Sequence, residues 1–434
     1  YENGGGAFLI PYFILLCLIG RPIYYLELIL GQFSGRGPVK VWKCVPAIKG
    51  LGFAQLLSTS YIAIFYNYLM AISIYYFIAS FSPTLPWTNC DKSQSLNVSC
   101  PEYYYERIVL NKSDGLWDLN SISMELIGCL FVSWTLVYLS IVKGITSLGK
   151  VAYFTAIFPY VVLITLLAVS LTQDGAINDA IIISVLDTFT SLLAGCVIFS
   201  VLGTMANEKG VEIKDVVTSG TGLAFIAYPE GLSKIKFLPQ LWSILFFFML
   251  FTLGIGSSVA MIETILTCIK DEFESLHEHK AKLALTFCVL FMLLGIPLTT
   301  DAGSYIMLLL DNYGVGTAAF LYGIIQIVAI SYIYGLRNFI DDIHFMLKRK
   351  PSLYWKLTWG FITPTVLATI FIYGNVLIIK EERIKPGIPN WGDHIGYVLG
   401  MFFFISFRIL QIVIIILFSR SGNHSDSIMD VDNH

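Results

Sequence analysis

The chain reads as an all-α integral membrane protein with ten spans present, and three observations predict it. Apolar residues make up 56% of the 434 residues and charged residues only 13%, about half the charged share of an ordinary soluble domain. The apolar residues fall in blocks long enough to cross a bilayer, which takes roughly 20 residues per helix. Inside those blocks the apolar runs are continuous rather than alternating, so they are helices and not barrel strands. The net charge of −3 says nothing about partners, no basic stripe suits nucleic acid, and the apolar blocks imply the lipid bilayer as partner.

The predicted spans lie near 7–30, 53–81, 122–142, 151–171, 179–206, 239–269, 281–298, 313–335, 353–379 and 395–418. The chain opens without an initiator Met or a signal peptide, and Tyr1 to Phe8 read as the middle of a longer stretch. After the first span, Arg36, Lys40, Lys43 and Lys49 occur without an acid, which places residues 31–52 in the cytoplasm. The span at 53–81 then exits. The polar loop 82–121 holds Cys90 and Cys100 and two glycosylation sequons, at Asn97 and Asn111. Together these predict an exterior loop with a Cys90–Cys100 disulfide. The other six cysteines (17, 44, 129, 196, 268, 288) lie in or beside apolar runs and read as small packing residues.

Lys143 and Lys150 mark the next inner turn, and the span at 151–171 exits again. Only the short stretch Thr172 to Asn178 separates it from the span at 179–206. Counting crossings from there puts loop 336–356 outside, although Arg337, Lys348, Arg349, Lys350 and Lys356 make it the most basic stretch of the chain. One more crossing between 171 and 179 restores every later loop to the side its charges favour. The charges alone therefore predict that a span is missing there; the alternative is that the positive-inside rule fails for this one loop. The polar tail 419–434 is expected in the cytoplasm, where a third sequon at Asn423 goes unused.

Asp187 stands inside the apolar run Ser184 to Phe199. A carboxylate in such a segment is costly and marks an ion or substrate pathway by default; a protonated structural aspartate is the alternative. Gly4–Gly6 is not a phosphate loop, because no Lys-Ser/Thr follows. The six histidines have no metal spacing, and no nucleophile–base arrangement stands out, so no enzyme chemistry is expected.

Several stretches carry a family likeness: Glu2-Asn-Gly-Gly-Gly-Ala-Phe-Leu-Ile-Pro11-Tyr12, Leu26-Glu27-Leu-Ile-Leu-Gly31-Gln32-Phe33, the Pro86-Trp87…Cys90…Cys100 loop and Tyr153-Phe-Thr-Ala-Ile-Phe-Pro159-Tyr160. Further along come Thr190-Ser191-Leu-Leu-Ala-Gly195, Tyr228-Pro229-Glu230 and Leu253-Gly254-Ile-Gly256-Ser257-Ser258. Over essentially its whole length the chain resembles the sodium- and chloride-dependent neurotransmitter and amino-acid symporters. Leu186-Asp187-Thr188 and the Leu-Gly-Ile-Gly-Ser run resemble the insect nutrient amino-acid transporters most. The resemblance implies an inverted-repeat fold like that of the bacterial leucine transporter, with substrate and ions bound at mid-membrane on two broken helices. It also implies that the first and sixth helices are absent, the sixth falling at the gap found from charge. Residues 7–171 would then be the remainder of the first repeat, 179–335 that of the second, and 353–418 the last two helices.

The same resemblance assigns roles residue by residue. Tyr66, Ser258 and Met261 match substrate-pocket positions. Asp187, Leu253 through its carbonyl and Ser257 match sodium ligands; Asp187 stands where most of the family has Asn, and a carboxylate suits a hard cation. Gly256 falls where many relatives have Asp or Thr, so the second sodium site loses a side-chain ligand. Tyr12 and Ser191 match chloride contacts. Asp311 and Asp271 match the acidic halves of the outer and inner gates. Their arginine partners have no counterpart, so both carboxylates are expected to shift toward protonation or face water. Glu27 is read as structural. The implied activity is sodium-coupled symport of a small neutral amino acid across the plasma membrane, with Cl⁻ as a second candidate ion. These 434 residues alone are expected not to transport. A non-transporting scaffold, or a carrier of γ-aminobutyrate- or monoamine-type substrates, is the alternative.

Overall fold

A computed structural model describes residues 9–90, 99–117, 121–142, 221–235, 238–273, 276, 279–348, 350–380 and 391. These residues are mostly helical, with one isolated antiparallel bridge, Ile122 to Thr300, and no strand among them. The helices used below are α1 (Ile10–Ser34), α2 (Lys49–Ala79), α3 (Met124–Val142), α4 (Pro239–Glu272), α5 (Lys280–Gly295), α6 (Thr317–Val328), α7 (Leu336–Leu347) and α8 (Thr363–Lys380).

Seven described stretches are long and apolar enough to cross a bilayer, which makes this a multi-pass membrane protein. They fall on seven of the ten predicted spans. The spans near 151–171, 179–206 and 395–418 lie outside the described residues. Boundaries differ where polar residues continue a helix beyond the hydrocarbon. At 31 and 34 residues, α2 and α4 reach about 46 Å and 51 Å, well past a hydrocarbon core of roughly 30 Å. The predicted span 313–335 lies within a longer helical stretch, Gly303–Leu347.

The chain divides into two compact units, one comprising Ala63–Ala260 and Ala281–Ile306, the other Ile10–Ile62, Met261–Lys280 and Met307–His434. In the first, Tyr76 is fully buried among Trp87, Tyr104, Phe225 and Phe247, with ring centroids 4.8 to 5.7 Å apart. Such aromatic pairs contribute about 0.5–1.5 kcal/mol each beyond the area they bury. Tyr76 also donates its hydroxyl to the Phe225 carbonyl at 3.1 Å, and the Trp87 indole donates to the Pro229 carbonyl at 3.2 Å. The polar loop is thereby tied to the Tyr228–Ser233 helix. Cys90 and Cys100 form the predicted disulfide, with Cα atoms 5.4 Å apart.

In the second unit the core gathers Leu26, Ile29, Trp42, Leu51, Phe339 and Trp359. Pro22 in α1 has no N–H, so the Leu18 carbonyl loses its helical donor. The backbone widens by a π turn at Leu16–Gly20, and the Thr363 hydroxyl of α8 donates to that carbonyl at 2.7 Å. A half-buried backbone acceptor is satisfied from a neighbouring helix, as a non-aqueous surrounding demands. The helix α1 stops where Gly35 adopts a left-handed φ of 57° and closes the last turn onto the Gly31 carbonyl.

Candidate functional site

Of the predicted site residues, Tyr66, Leu253, Ser257 and Ser258 lie in the first unit, where α2 and α4 meet. Gly254 makes the contact close: a Cβ there would stand 2.6 Å from Met70 Cγ and 3.6 Å from the Tyr66 ring. Without a side chain at 254, Tyr66 and Met70 can lie against the α4 backbone. One turn further along, Ser258 is fully buried, as are Asn67 on α2 and Ser133 on α3. Asn67 Nδ2 donates to the Ala63 carbonyl at 2.8 Å and to Ser258 Oγ at 3.3 Å. Ser133 Oγ donates to Asn67 Oδ1 at 2.9 Å, and Ser258 Oγ donates to Met70 Sδ at 3.3 Å. One amide therefore ties three helices together.

Of the residues named from sequence, Tyr66 and Ser258 are brought to this contact. The Ser258 hydroxyl is engaged between helices, while Tyr66 stays half-buried. Ser257 is half-buried and Leu253 is exposed on the same helix, one turn apart. Met261 follows Ser258 by three residues on α4 and is half-buried. Asn67, Ser133 and Met70 were not singled out from sequence. The available signal was the presence of Asn and Ser inside strongly apolar runs, where such residues bond across helices.

The second unit holds Tyr12, Met261, Asp271 and Asp311. Tyr12 is half-buried, its ring in edge contact with Phe13 at 5.5 Å. Asp311 is exposed. Asp271 departs from expectation. Its Oδ2 accepts the Gly37 backbone N–H at 2.7 Å, so the loop after α1 supplies its partner. Glu27 also has a defined partner: Gln326 Nε2 donates to its Oε1 at 3.0 Å, and Gln55 Nε2 donates to Gln326 Oε1 at 3.2 Å. Asp187, Ser191 and Asn97 lie outside the described residues. Asn111 is exposed in the polar loop and donates to Ser121 Oγ at 2.8 Å. Among the described residues no cluster of His, Cys, Asp and Glu could hold a metal ion by itself.

Long apolar helices joined by buried amides and hydroxyls, with glycine admitting one backbone to another, define a polytopic membrane protein built for close helix contact. The chain belongs to the sodium:neurotransmitter symporter family, whose model matches residues 1–179 and 176–419. It is similar to sodium-dependent nutrient amino acid transporter 1 of Drosophila virilis, 38% identical over 486 residues covering 92% of this chain and 76% of that protein. The transporter of the same name from Drosophila melanogaster is 39% identical over 494 residues, covering 92% of this chain and 76% of the relative. The family is one of symporters rather than enzymes.

Proposed function

We propose that the residues of this chain serve sodium-coupled symport of small neutral amino acids across the plasma membrane in a carrier that has a broken helix between residues 171 and 179, and that these 434 residues alone do not transport. The α2–α4 contact would form one wall of the substrate chamber. The observation that carries this reading is the approach at Gly254, which sets Tyr66 against the helix bearing Leu253, Ser257, Ser258 and Met261. Family membership and the printed names of the relatives support the ion and the class of substrate. In this reading Tyr66 and Met261 contact the substrate, and Ser258 positions the wall from behind. Leu253 and Ser257 serve one sodium, Asp187 the other, and Tyr12 with Ser191 serve chloride. Asp311 and Asp271 belong to the outer and inner gates, and Asn97 and Asn111 carry glycans. The domain division is the one expected from sequence, with repeats at 7–171 and 179–335, a final helix pair at 353–418, an exterior loop at 82–121 and a cytoplasmic tail at 419–434.

A span is also missing between 171 and 179. The charge of loop 336–356 supports this, as does the family match, which breaks into two segments meeting at 176–179. The alignment with the Drosophila virilis relative runs over 486 positions although it uses only 92% of a 434-residue chain. Part of that relative therefore has no counterpart within the aligned region. A broken mid-membrane helix supplies backbone carbonyls and helix ends to ions and substrate, and without one these 434 residues act as a scaffold that does not transport. The test of the site is uptake of labelled neutral amino acids by a full-length background carrying these residues. Tyr66→Ala and Ser257→Ala should each lower sodium-driven uptake at least tenfold with surface expression retained. Unchanged uptake in both would remove α2 and α4 from the site.

A further inference from the structure

In the second unit, α7 is set off from the helical stretches on either side of it. Gly335 takes a φ of 100° and breaks the helix before it, and Lys348 takes a φ of 55° and closes α7 onto the His344 carbonyl. Phe339 and Ile343 are buried and hold one face of α7 in the core. The other face exposes His344, Phe345 and Lys348. An amphipathic helix of this kind, with cations and an aromatic ring turned outward, suits a membrane–water boundary.

Two features at the end of α7 have no partner within the molecule. The first is charge. Lys348 and Lys350 are exposed and make no ion pair among the described residues. Of the two acids on α7, Asp342 already accepts the Tyr334 hydroxyl at 2.7 Å. The Lys348 Nζ lies 5.0 Å from the centroid of the exposed Phe345 ring, so a cation and an apolar ring face outward together. The second is an apolar ladder. The span Leu353–Gly374 begins three residues after Lys350. Along its outer side Leu353, Leu357 and Phe361 recur every four residues, 69%, 50% and 68% exposed, while Trp359 is fully buried on the inner side. The ladder covers about 12 Å of helix rise. Unpaired cations at the mouth of a span, with apolar side chains running down from them, match the headgroup and the upper acyl chain of a phospholipid. A soluble protein partner would meet the cations but not a ladder on a membrane-crossing helix.

We propose that Lys348 and Lys350 bind the headgroup of an anionic phospholipid whose acyl chain lies along Leu353, Leu357 and Phe361. A zwitterionic lipid carries its own cation beside the phosphate and gains less from the two lysines. The surface is separate from the α2–α4 contact and does not rest on the transport reading.

The experiment titrates the full chain in detergent with phosphatidylserine or with phosphatidylcholine of the same acyl chains, and weighs the first lipid bound by native mass spectrometry. A lysine near an anionic lipid surface is worth about fivefold in binding, so the first phosphatidylserine should bind at least tenfold more tightly than phosphatidylcholine. Lys348→Gln combined with Lys350→Gln should reduce that preference to about twofold or less and leave phosphatidylcholine binding unchanged, which also reports an intact fold. Lys40→Gln combined with Lys43→Gln removes the same charge elsewhere in the unit and should leave the preference in place. Glycerophosphoserine, which has the headgroup and no acyl chains, should not displace the bound lipid at equal concentration. Equal binding of the two lipids, an undiminished preference in the Lys348/Lys350 variant, the same loss in the Lys40/Lys43 variant, or displacement by glycerophosphoserine would overturn the proposal.

Discussion

Both ends of the Asn67 amide are engaged, and each partner sits on a different helix: Ser258 on α4 and Ser133 on α3. Removing the amide strands two buried hydroxyls, a cost of about 1–3 kcal/mol. Asn67→Ala should therefore lower the unfolding free energy by that order in detergent denaturation. A double-mutant cycle with Ser133→Ala should show coupling well above 0.5 kcal/mol, and strict additivity would mean that the network is not formed. Gly254 gives a second check. Gly254→Ala forces the Met70 side chain aside, an overpacking worth roughly 1–3 kcal/mol. Met70→Ala in the same chain should recover most of that loss, read as a melting temperature; no recovery would place the strain elsewhere.

At the scale of elements, the polar loop is held by a disulfide and by rings. Burial first, with the Glu106 charge adding to it and a Thr221 hydrogen bond opposing it, pushes the Tyr105 hydroxyl up to about 12. Burial likewise raises Tyr104 and Tyr228. A folded-state pKa above the unfolded value near 10 means that the folded loop holds its protons longer. The stability this contributes is complete below pH 10 and is lost as pH rises toward 12. Trp87 fluorescence should therefore report loosening of the loop in that window, and Tyr105→Phe should shift the transition to higher pH; an identical profile in the variant would exclude Tyr105 as the cause. Cys90→Ser should reduce delivery to the cell surface more than it changes substrate affinity, since the loop packs on Tyr76 and Phe247, each roughly two or more helical turns from Tyr66 and Gly254. Equal affinity losses in surface-corrected binding would contradict this.

At the scale of the molecule, composition alone made the helical membrane fold legible, because only continuous apolar blocks satisfy a bilayer. The disulfide was legible because two cysteines shared one polar loop with two sequons. The register of side chains was not. That Ser258 turns its hydroxyl into a helix contact, that Asn67 joins three helices, and that Gly37 supplies a donor to Asp271 depend on the rotation of helices about their own axes. Uniformly apolar helices carry no strong amphipathic stripe to reveal that rotation.

The same scale governs the ions. In the proposed reading Asp187 stands near a sodium ion, where a fixed negative charge can stand in for chloride. In a full-length background with these residues, replacing chloride by gluconate should leave most uptake intact; loss of most uptake would reject charge compensation. The account as a whole is tested most directly by sodium-gradient uptake of labelled neutral amino acids into proteoliposomes. The 434-residue chain is compared with a full-length background in which a broken helix is supplied between residues 171 and 179. The account predicts no saturable uptake by the chain alone and sodium-dependent uptake once the span is present. Saturable, sodium-dependent uptake by the 434 residues themselves would contradict it.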